Sequence, residues 1–406
     1  MEAAPVTLND LVREYRSRYQ LPPSARSRVL RKLALCRTPG LGGHLLECNR
    51  CDHRAVVWNS CLDRHCPSCL GASARQWVDR QETSLLPVPY FHVVFTLPRP
   101  LADLALYNKA LLYGLLMRVS AEVLQTIAAD KKYLGGKIGF VSVLHTWSQP
   151  LEHHPHVHMV VAGGALCDGG TTWRMSQPNF FLPTRVLAAL FRRRFLEEVT
   201  KLRDGRLRFQ GRVAELERPD AWAELLSELQ KQSWVVYAKP PFGGPDQVVR
   251  YLARYTHRVA ISNRRIQAFD GEAVTFGVRP SPATNDADAM TLPLKTFIDR
   301  FLLHLLPQGF TRIRHYGFLA GQHRERNLAT IRALLGAAAP VKAEAPERVP
   351  DRCPTCSVGE LHRGLEVAPW ALVGRELRNA HYASTGPPGT AWPLGQVLTL
   401  ARAPAA

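Results

Sequence analysis

Two histidines spaced one residue apart, His156 and His158, and two tyrosines spaced four apart, Tyr251 and Tyr255, are the side chains best suited to chemistry on a phosphate. The histidines lie in His154-Pro-His-Val-His158-Met-Val-Val161. Side chains alternate along a strand, so His156 and His158 share one face while Val157 and Met159 take the other. Imidazoles paired in this way can hold one divalent metal, and such a metal polarises a phosphodiester. A third ligand is needed. Gln149 and His145 are candidates at the end of the preceding strand, and His154 and Glu152 are candidates in the loop. Imidazole suits Mn²⁺ or Co²⁺ better than Mg²⁺ on ligand softness, although supply also decides. A lone His-x-His is more often a loop feature than a metal site. Here the strand is apolar, and polar groups placed in it need a reason.

Tyr251 and Tyr255 are i and i+4, so they project from one helical face. Arg250, Arg254 and Arg258 stand among them as candidate phosphate contacts. A phenol with a pKa of ~10 is a weak nucleophile unless the phosphate is made more electrophilic or the proton is removed. The metal does the first, and His257 or solvent does the second. Taken alone, Tyr-x-x-x-Tyr describes the packed face of an amphipathic helix. Set beside the histidine strand, it describes an attacking pair that nicks DNA and transfers a strand.

The first 80 residues hold eight further metal-ligand candidates: Cys36, His44, Cys48, Cys51, Cys61, His65, Cys66 and Cys69. Cys48-Asn-Arg-Cys51 and Cys66-Pro-Ser-Cys69 are two C-x-x-C knuckles, expected to share one tetrahedral zinc. Cys36, His44, Cys61 and His65 would then form a second site, with His53 in reserve; one zinc in place of two is the alternative. Full thiolate coordination leaves no open position, so zinc here is structural. Cys353-Pro-Thr-Cys356 is half a site, either a vestige or a partner of His362.

Around these groups the chain has 406 residues, of which 46 % are apolar, enough for two or three domains. Its formal charge is +18, from 52 Lys and Arg against 34 Asp and Glu, which favours a polyanionic partner such as DNA. The start has no basic-then-apolar leader pattern. The most apolar stretch, Leu101 to Leu124, is broken by Asp103, Lys109, Arg118 and Glu122, so an amphipathic core helix is expected and no membrane partner. Cysteines at metal spacing point to a reducing cytoplasm, with nucleoid association when bound.

The elements that must position the chemistry follow from pattern. Strands are expected at 90–97, 138–147, 156–162 and 233–238, with the second and third paired antiparallel. Helices are expected at 101–132, 185–203, 220–231 and 294–305, and a further helix, N-capped by Asp246, should carry both tyrosines. Residues 264–279 read as a hairpin turning at Asp270-Gly271. The basic stretch Arg312-Ile-Arg-His-Tyr-Gly317 carries no element assignment. Three regions result: 1–80 as the zinc domain, 81–335 as the catalytic domain, and 336–406 as an Ala/Pro-rich linker with a poorly patterned tail.

Taken together, three blocks resemble the two-tyrosine rolling-circle transposases of the insertion sequence 91 family, within the HUH (His, hydrophobic, His) endonucleases. They are the zinc block with Cys36-Arg-Thr, Gly42-Gly-His44 and Arg64-His-Cys-Pro-Ser-Cys69, the string His154-Pro-His-Val-His158, and Tyr251-Leu-Ala-Arg-Tyr255-Thr-His-Arg-Val-Ala-Ile-Ser262. Residues 301–320 look like the family too, and the likeness runs over about residues 10–335. It implies an α+β fold, an HUH antiparallel sheet with flanking helices, preceded by a small zinc-binding domain. It also implies His156 and His158 as ligands of a catalytic Mg²⁺ or Mn²⁺, and Tyr251 and Tyr255 as nucleophiles. In related HUH proteins a Gln or Glu seven residues before the first motif histidine completes the site, which favours Gln149 over His145. The implied reaction leaves a 5′-phosphotyrosine and a free 3′-hydroxyl, then rejoins ends at a target. The implied DNA partners are single-stranded or hairpin element ends and target DNA. No Gly-Lys-Ser/Thr nucleotide loop is present, so a host helicase and the replication machinery would supply unwinding. Alternatives are a replication initiator or relaxase of the same chemistry, a zinc DNA-binding regulator without activity, and a metal-dependent hydrolase using water.

Overall fold

A computed structural model describes residues 5–70, 84–179, 181–239, 247–248, 259–278, 288–338 and 351–369. The chain divides into two compact units. One is built from residues 1–71, 261–299 and 342–406, and the other from 72–260 and 300–341. The expected boundary at residue 80 is therefore moved, and the zinc region is discontinuous in sequence.

The second unit centres on a five-stranded antiparallel sheet in the order β12-β4-β5-β3-β8. Its strands are β3 (Tyr90–Thr96), β4 (Gly139–Trp147), β5 (His153–Ala162), β8 (Val236–Lys239) and β12 (Ile313–Gly317). Period-two alternation sets two different faces. Phe91, Val93, Phe95, Phe140, Leu144, Val157, Met159 and Val161 bury one face in a large core. Four helices cover the same core: α3 (Arg99–Tyr107), α4 (Lys109–Ala129), α5 (Thr184–Arg206) and α6 (Pro219–Lys231). The other face carries Tyr90, Val141, Val143, Val160 and Ala162, packed with Phe318 in the turn after β12 and with Leu328 and Ile331 on α8 (Arg324–Leu334).

The expected single helix over 101–132 is two helices. Asn108 breaks it, because its side chain donates to the Leu104 and Arg208 carbonyls at 3.0 and 2.9 Å and accepts from the Arg208 amide at 2.8 Å. Short amides compete with helical hydrogen bonding in this way. Helix α4 is long and apolar enough to cross a membrane by length and composition. In this fold Leu112, Tyr113, Leu116, Met117, Val119, Val123 and Leu124 are buried against the sheet and its neighbours. The basic stretch before Gly317 proves to be β12, an edge strand paired with β4 from Ile313–Val143 to Gly317–Gly139. Small strands β6 (Gly164–Cys167) and β7 (Thr172–Met175) form a separate pair.

The first unit opens with α1 (Leu8–Arg18) and α2 (Ala25–Leu35). Thr7 and Asp10 form a capping box at α1, and Ser24 and Ser27 form one at α2. Two three-stranded sheets follow. One joins β1 (Gly43–Cys48), β2 (Arg54–Trp58) and β13 (Leu361–Val367) in the order β13-β1-β2. The other joins β9 (Ile266–Phe269), β10 (Ala273–Gly277) and β11 (Ala289–Pro293). The expected hairpin is the β9–β10 pair. Asp270 accepts from the Glu272 and Ala273 amides at 2.8 and 2.7 Å, and Gly271 takes φ +100°. Helix α7 (Leu294–Leu303) begins directly after β11.

Candidate metal centres and active site

His156 and His158 extend from the β5 face that carries Val160 and Ala162. His145 lies on β4 directly opposite His156 in the antiparallel register. The three imidazoles each bring one ring nitrogen within 4.8 Å of the others. Strand register thus carries His145, one of the candidates for the third place, across to the motif, while Gln149, the residue preferred for that place, sits exposed in the turn after β4.

A hydrogen bond fixes the tautomer of His156. His156 Nδ1 donates to the His154 carbonyl at 2.7 Å, which leaves Nε2 with its lone pair. His158 Nδ1 lies 2.8 Å from Nε2 of His92, a buried residue on β3, and the rings stack at 5.0 Å. With Nδ1 engaged, Nε2 is the His158 nitrogen left for a metal. Supporting bonds of this kind orient metal ligands. Burial holds His156 down to about 4 and His158 well below the ordinary imidazole range. Neutral imidazoles are the form that binds a metal. The donor set fits a divalent ion.

The turn joining β4 to β5 is held from behind. His304, fully buried, donates from Nε2 to the Leu151 carbonyl at 3.1 Å, and its Nδ1 lies 3.2 Å from Thr146 Oγ1. Arg300 donates to the Pro150 carbonyl at 2.7 Å. Tyr113 Oη meets His153 Nε2 at 2.7 Å in the core below. His92, His153 and His304 were absent from the sequence reading. The available signal was a histidine within the apolar string Tyr-Phe-His-Val-Val, the same argument that singled out β5.

Tyr251, Tyr255, Arg250, Arg254 and Arg258 lie outside the described residues.

The cysteines group differently from the expected pairing of knuckles. Cys36, Cys61, Cys66 and Cys69 form one cluster, and Cys48, Cys51, Cys353 and Cys356 form another. In the first, Cys36–Cys69, Cys61–Cys69 and Cys36–Cys66 sulfurs are 3.4, 3.6 and 3.6 Å apart. Thiolates at ~2.3 Å from one tetrahedral zinc stand ~3.8 Å from each other, so the spacing fits. Contact with the Cys36 thiol pushes Cys61 up and pulls Cys69 down, and four thiolates this close repel one another, a repulsion that a bound cation would offset. Asn9 supports the cluster, donating to the Leu33 carbonyl at 2.7 Å and to Cys66 Sγ at 3.4 Å.

The two histidines assigned to zinc are not in either cluster. His65 is buried, with Nδ1 2.8 Å from Asp63 Oδ1. His44 lies on β1 opposite Val57 and Glu366, in the middle of the sheet. His53 Nδ1 meets Thr355 Oγ1 at 2.8 Å, and His362 Nε2 meets Asn49 Nδ2 at 3.3 Å. Four sulfurs already complete each group, so no imidazole is required.

The family model described as "Transposase zinc-binding domain" matches residues 7–97, and the one described as "Putative transposase" matches residues 139–327. A Sinorhizobium fredii protein named "Putative transposase y4qJ" is 48% identical over 361 residues, covering 86% of this chain and 91% of the relative. The chain belongs to the insertion sequence 91 family of transposases. A second relative, the "Transposase for insertion sequence element IS801" of Pseudomonas savastanoi pv. phaseolicola, is 30% identical over 297 residues, covering 72% of this transposase and 69% of that protein. Among solved structures, "Conjugative Relaxase TrwC in complex with OriT Dna. Metal-free structure." is 15% identical and covers 61% of this chain and 73% of that one. Its TM-score is 0.23, a likeness too distant to carry an argument. The transposase match on 139–327 spans the whole β4–β5 histidine cluster and the Tyr251–Tyr255 segment.

Proposed function

We propose that this transposase nicks one DNA strand through a tyrosine, holds the cut end as a 5′-phosphotyrosine, and transfers it to a target in rolling-circle transposition. The convergence of His145, His156 and His158 on one point of the sheet is the observation that carries this reading. These three residues would hold Mg²⁺ or Mn²⁺, which when bound supplies Lewis-acid polarisation of the scissile phosphate.

Tyr251 or Tyr255 supplies the nucleophile. Its phenolic oxygen forms a bond to phosphorus, the bond from phosphorus to the 3′ oxygen breaks, and the phenolic proton passes to His257 or solvent. The departing strand leaves with a 3′-hydroxyl. In the reverse direction a 3′-hydroxyl of the target attacks the phosphotyrosine and releases the tyrosine. The phosphotyrosine conserves the bond energy, so no nucleotide cofactor is needed. Arg250, Arg254 and Arg258 bind neighbouring phosphates, and a host helicase and replication machinery supply the displaced strand. His92 acts as a positioning residue, because it fixes the ring of His158 through a 2.8 Å hydrogen bond.

The test is a single-stranded element end incubated with the protein and Mn²⁺. A covalent adduct that survives denaturant should form, and Tyr251→Phe/Tyr255→Phe should form none. Full adduct yield from that double variant would refute the assignment. Single variants that each retain nicking yet lose transposition would show that both tyrosines act in turn.

A further inference from the structure

The family match to the zinc-binding domain stops at residue 97, and the transposase match ends at 327. Neither reaches Cys353-Pro-Thr-Cys356. The structure nonetheless sets this pair against the first knuckle: Cys48 and Cys356 sulfurs are 3.8 Å apart, and Cys51 and Cys353 sulfurs are 3.7 Å apart. A disulfide needs ~2.05 Å, so these are separate sulfurs. The spacing matches the edge of a tetrahedral zinc thiolate site, where Zn–S is ~2.3 Å.

We propose that Cys48, Cys51, Cys353 and Cys356 form a second structural zinc site, which fastens the segment 351–369 to the N-terminal zinc module and makes that module bipartite.

Three further observations point the same way. Backbone amides are aimed at the sulfurs: Arg50 N–H donates to Cys48 Sγ at 3.3 Å, and Gly359 N–H donates to Cys356 Sγ at 3.2 Å. Such donors stabilise thiolates, the form a metal needs. The two knuckles also meet at a distance that only glycine permits. A Cβ on Gly359 would stand 2.4 Å from Cys48 Sγ and 2.9 Å from Arg50 Cβ. Finally, β13 delivers the second knuckle in register. It pairs with β1 from Gly43–Val367 to Cys48–Leu361. Asn49 locks the corner, its amide donating to the Glu360 carbonyl at 3.1 Å while its side chain accepts from the Glu360 amide at 2.9 Å.

The chemistry of the set selects the ion. Four soft sulfurs within 4.8 Å of one another suit zinc, and a full thiolate set leaves no open position for substrate. The site is therefore structural. Its chemistry differs from the imidazole cluster on β4 and β5, which favours harder ions.

The experiment uses the full chain purified under reducing conditions. Elemental analysis and native mass spectrometry should find two zinc ions per chain. Cys353→Ser/Cys356→Ser should keep one, and Cys61→Ser/Cys69→Ser should keep the other. A wild-type chain with a single zinc that survives Cys353→Ser/Cys356→Ser would overturn the proposal. Should either variant fail to fold, cysteine alkylation mapped on the wild-type chain decides. Cys48, Cys51, Cys353 and Cys356 should be protected together and become reactive together as a chelator is titrated in. Rapid labelling of Cys353 and Cys356 while Cys48 and Cys51 stay protected would sink it, and so would a Cys353–Cys356 disulfide in place of a metal.

Discussion

His158, a ligand in the proposed metal site, is held by a neighbour outside the three-imidazole cluster. The His158 Nδ1 lies 2.8 Å from His92 Nε2, which leaves the Nε2 of His158 for a metal. His92→Ala should weaken Mn²⁺ binding by ~10–100-fold while leaving all three ligands present. Calorimetric titration reads the affinity, and raising Mn²⁺ should restore nicking. Nicking that stays lost at saturating metal would give His92 a different role. His156→Ala or His158→Ala should lower nicking by ~10²–10⁴-fold, since a Lewis acid contributes several kcal/mol and each 1.36 kcal/mol is tenfold. DNA binding, measured by filter retention, should change little. At this scale the sequence was legible where residues lie close together. His156 and His158 follow from two-residue alternation. His145 was a candidate but ranked second, because its place depends on which residue of β4 stands opposite His156. Cys36, Cys48, Cys51, Cys61, Cys66 and Cys69 were all chosen from their spacing. Their partition between two sites was not, because the nearest knuckle in sequence is not the nearest in space.

Strand β12 illustrates the same limit for elements. Its residues Arg314 and His315 gave it the look of a basic stretch without an element, whereas each stands half-buried in a ladder with β4. Edge strands tolerate charge on one side, and the hydrophobic pattern that reveals central strands is weak there. Gly317 closes this strand with φ +64°, and a Cβ at that position would collide with the Ile138 carbonyl. Gly317→Ala should therefore cost on the order of 2 kcal/mol or more, through left-handed strain and loss of the β12–β4 pairing. Urea denaturation monitored by circular dichroism measures it. A midpoint within error of wild type would show that the strand end is free to shift. By contrast, β3, β4, β5, α5 and α6 were found near their true bounds because each has a strong apolar period. The break at Asn108 was missed because it depends on Arg208, one hundred residues away.

The unit holding the histidine cluster encloses many neutral imidazoles at once. Burial pushes both His153 and His304 down to about 3. An unfolded imidazole titrates near ~6.5, so as pH falls the unfolded chain takes up these protons first. The stability they contribute is full above about pH 6.5 and declines as pH drops toward about 3. Between pH 6.5 and 5 each should remove ~2 kcal/mol, at ~1.36 kcal/mol per pH unit. Urea midpoints at pH 7 and pH 5 should separate accordingly. His304→Gln should reduce that separation, and an unchanged separation would show that His304 protonates without cost. The other unit passes through the chain in three pieces, 1–71, 261–299 and 342–406. Cys51 and Cys353 are 302 residues apart. At ~5–20 residues per second of synthesis, Cys51 waits ~15–60 s on the ribosome before its partner exists. A transcript cut short, or a reading frame lost, between His158 and Cys353 yields a protein that carries His145, His156 and His158 but never pairs β1 with β13. Such a product would leave the ribosome with two unpaired thiols and a bare sheet edge on β1, marked for proteolysis rather than for cutting DNA.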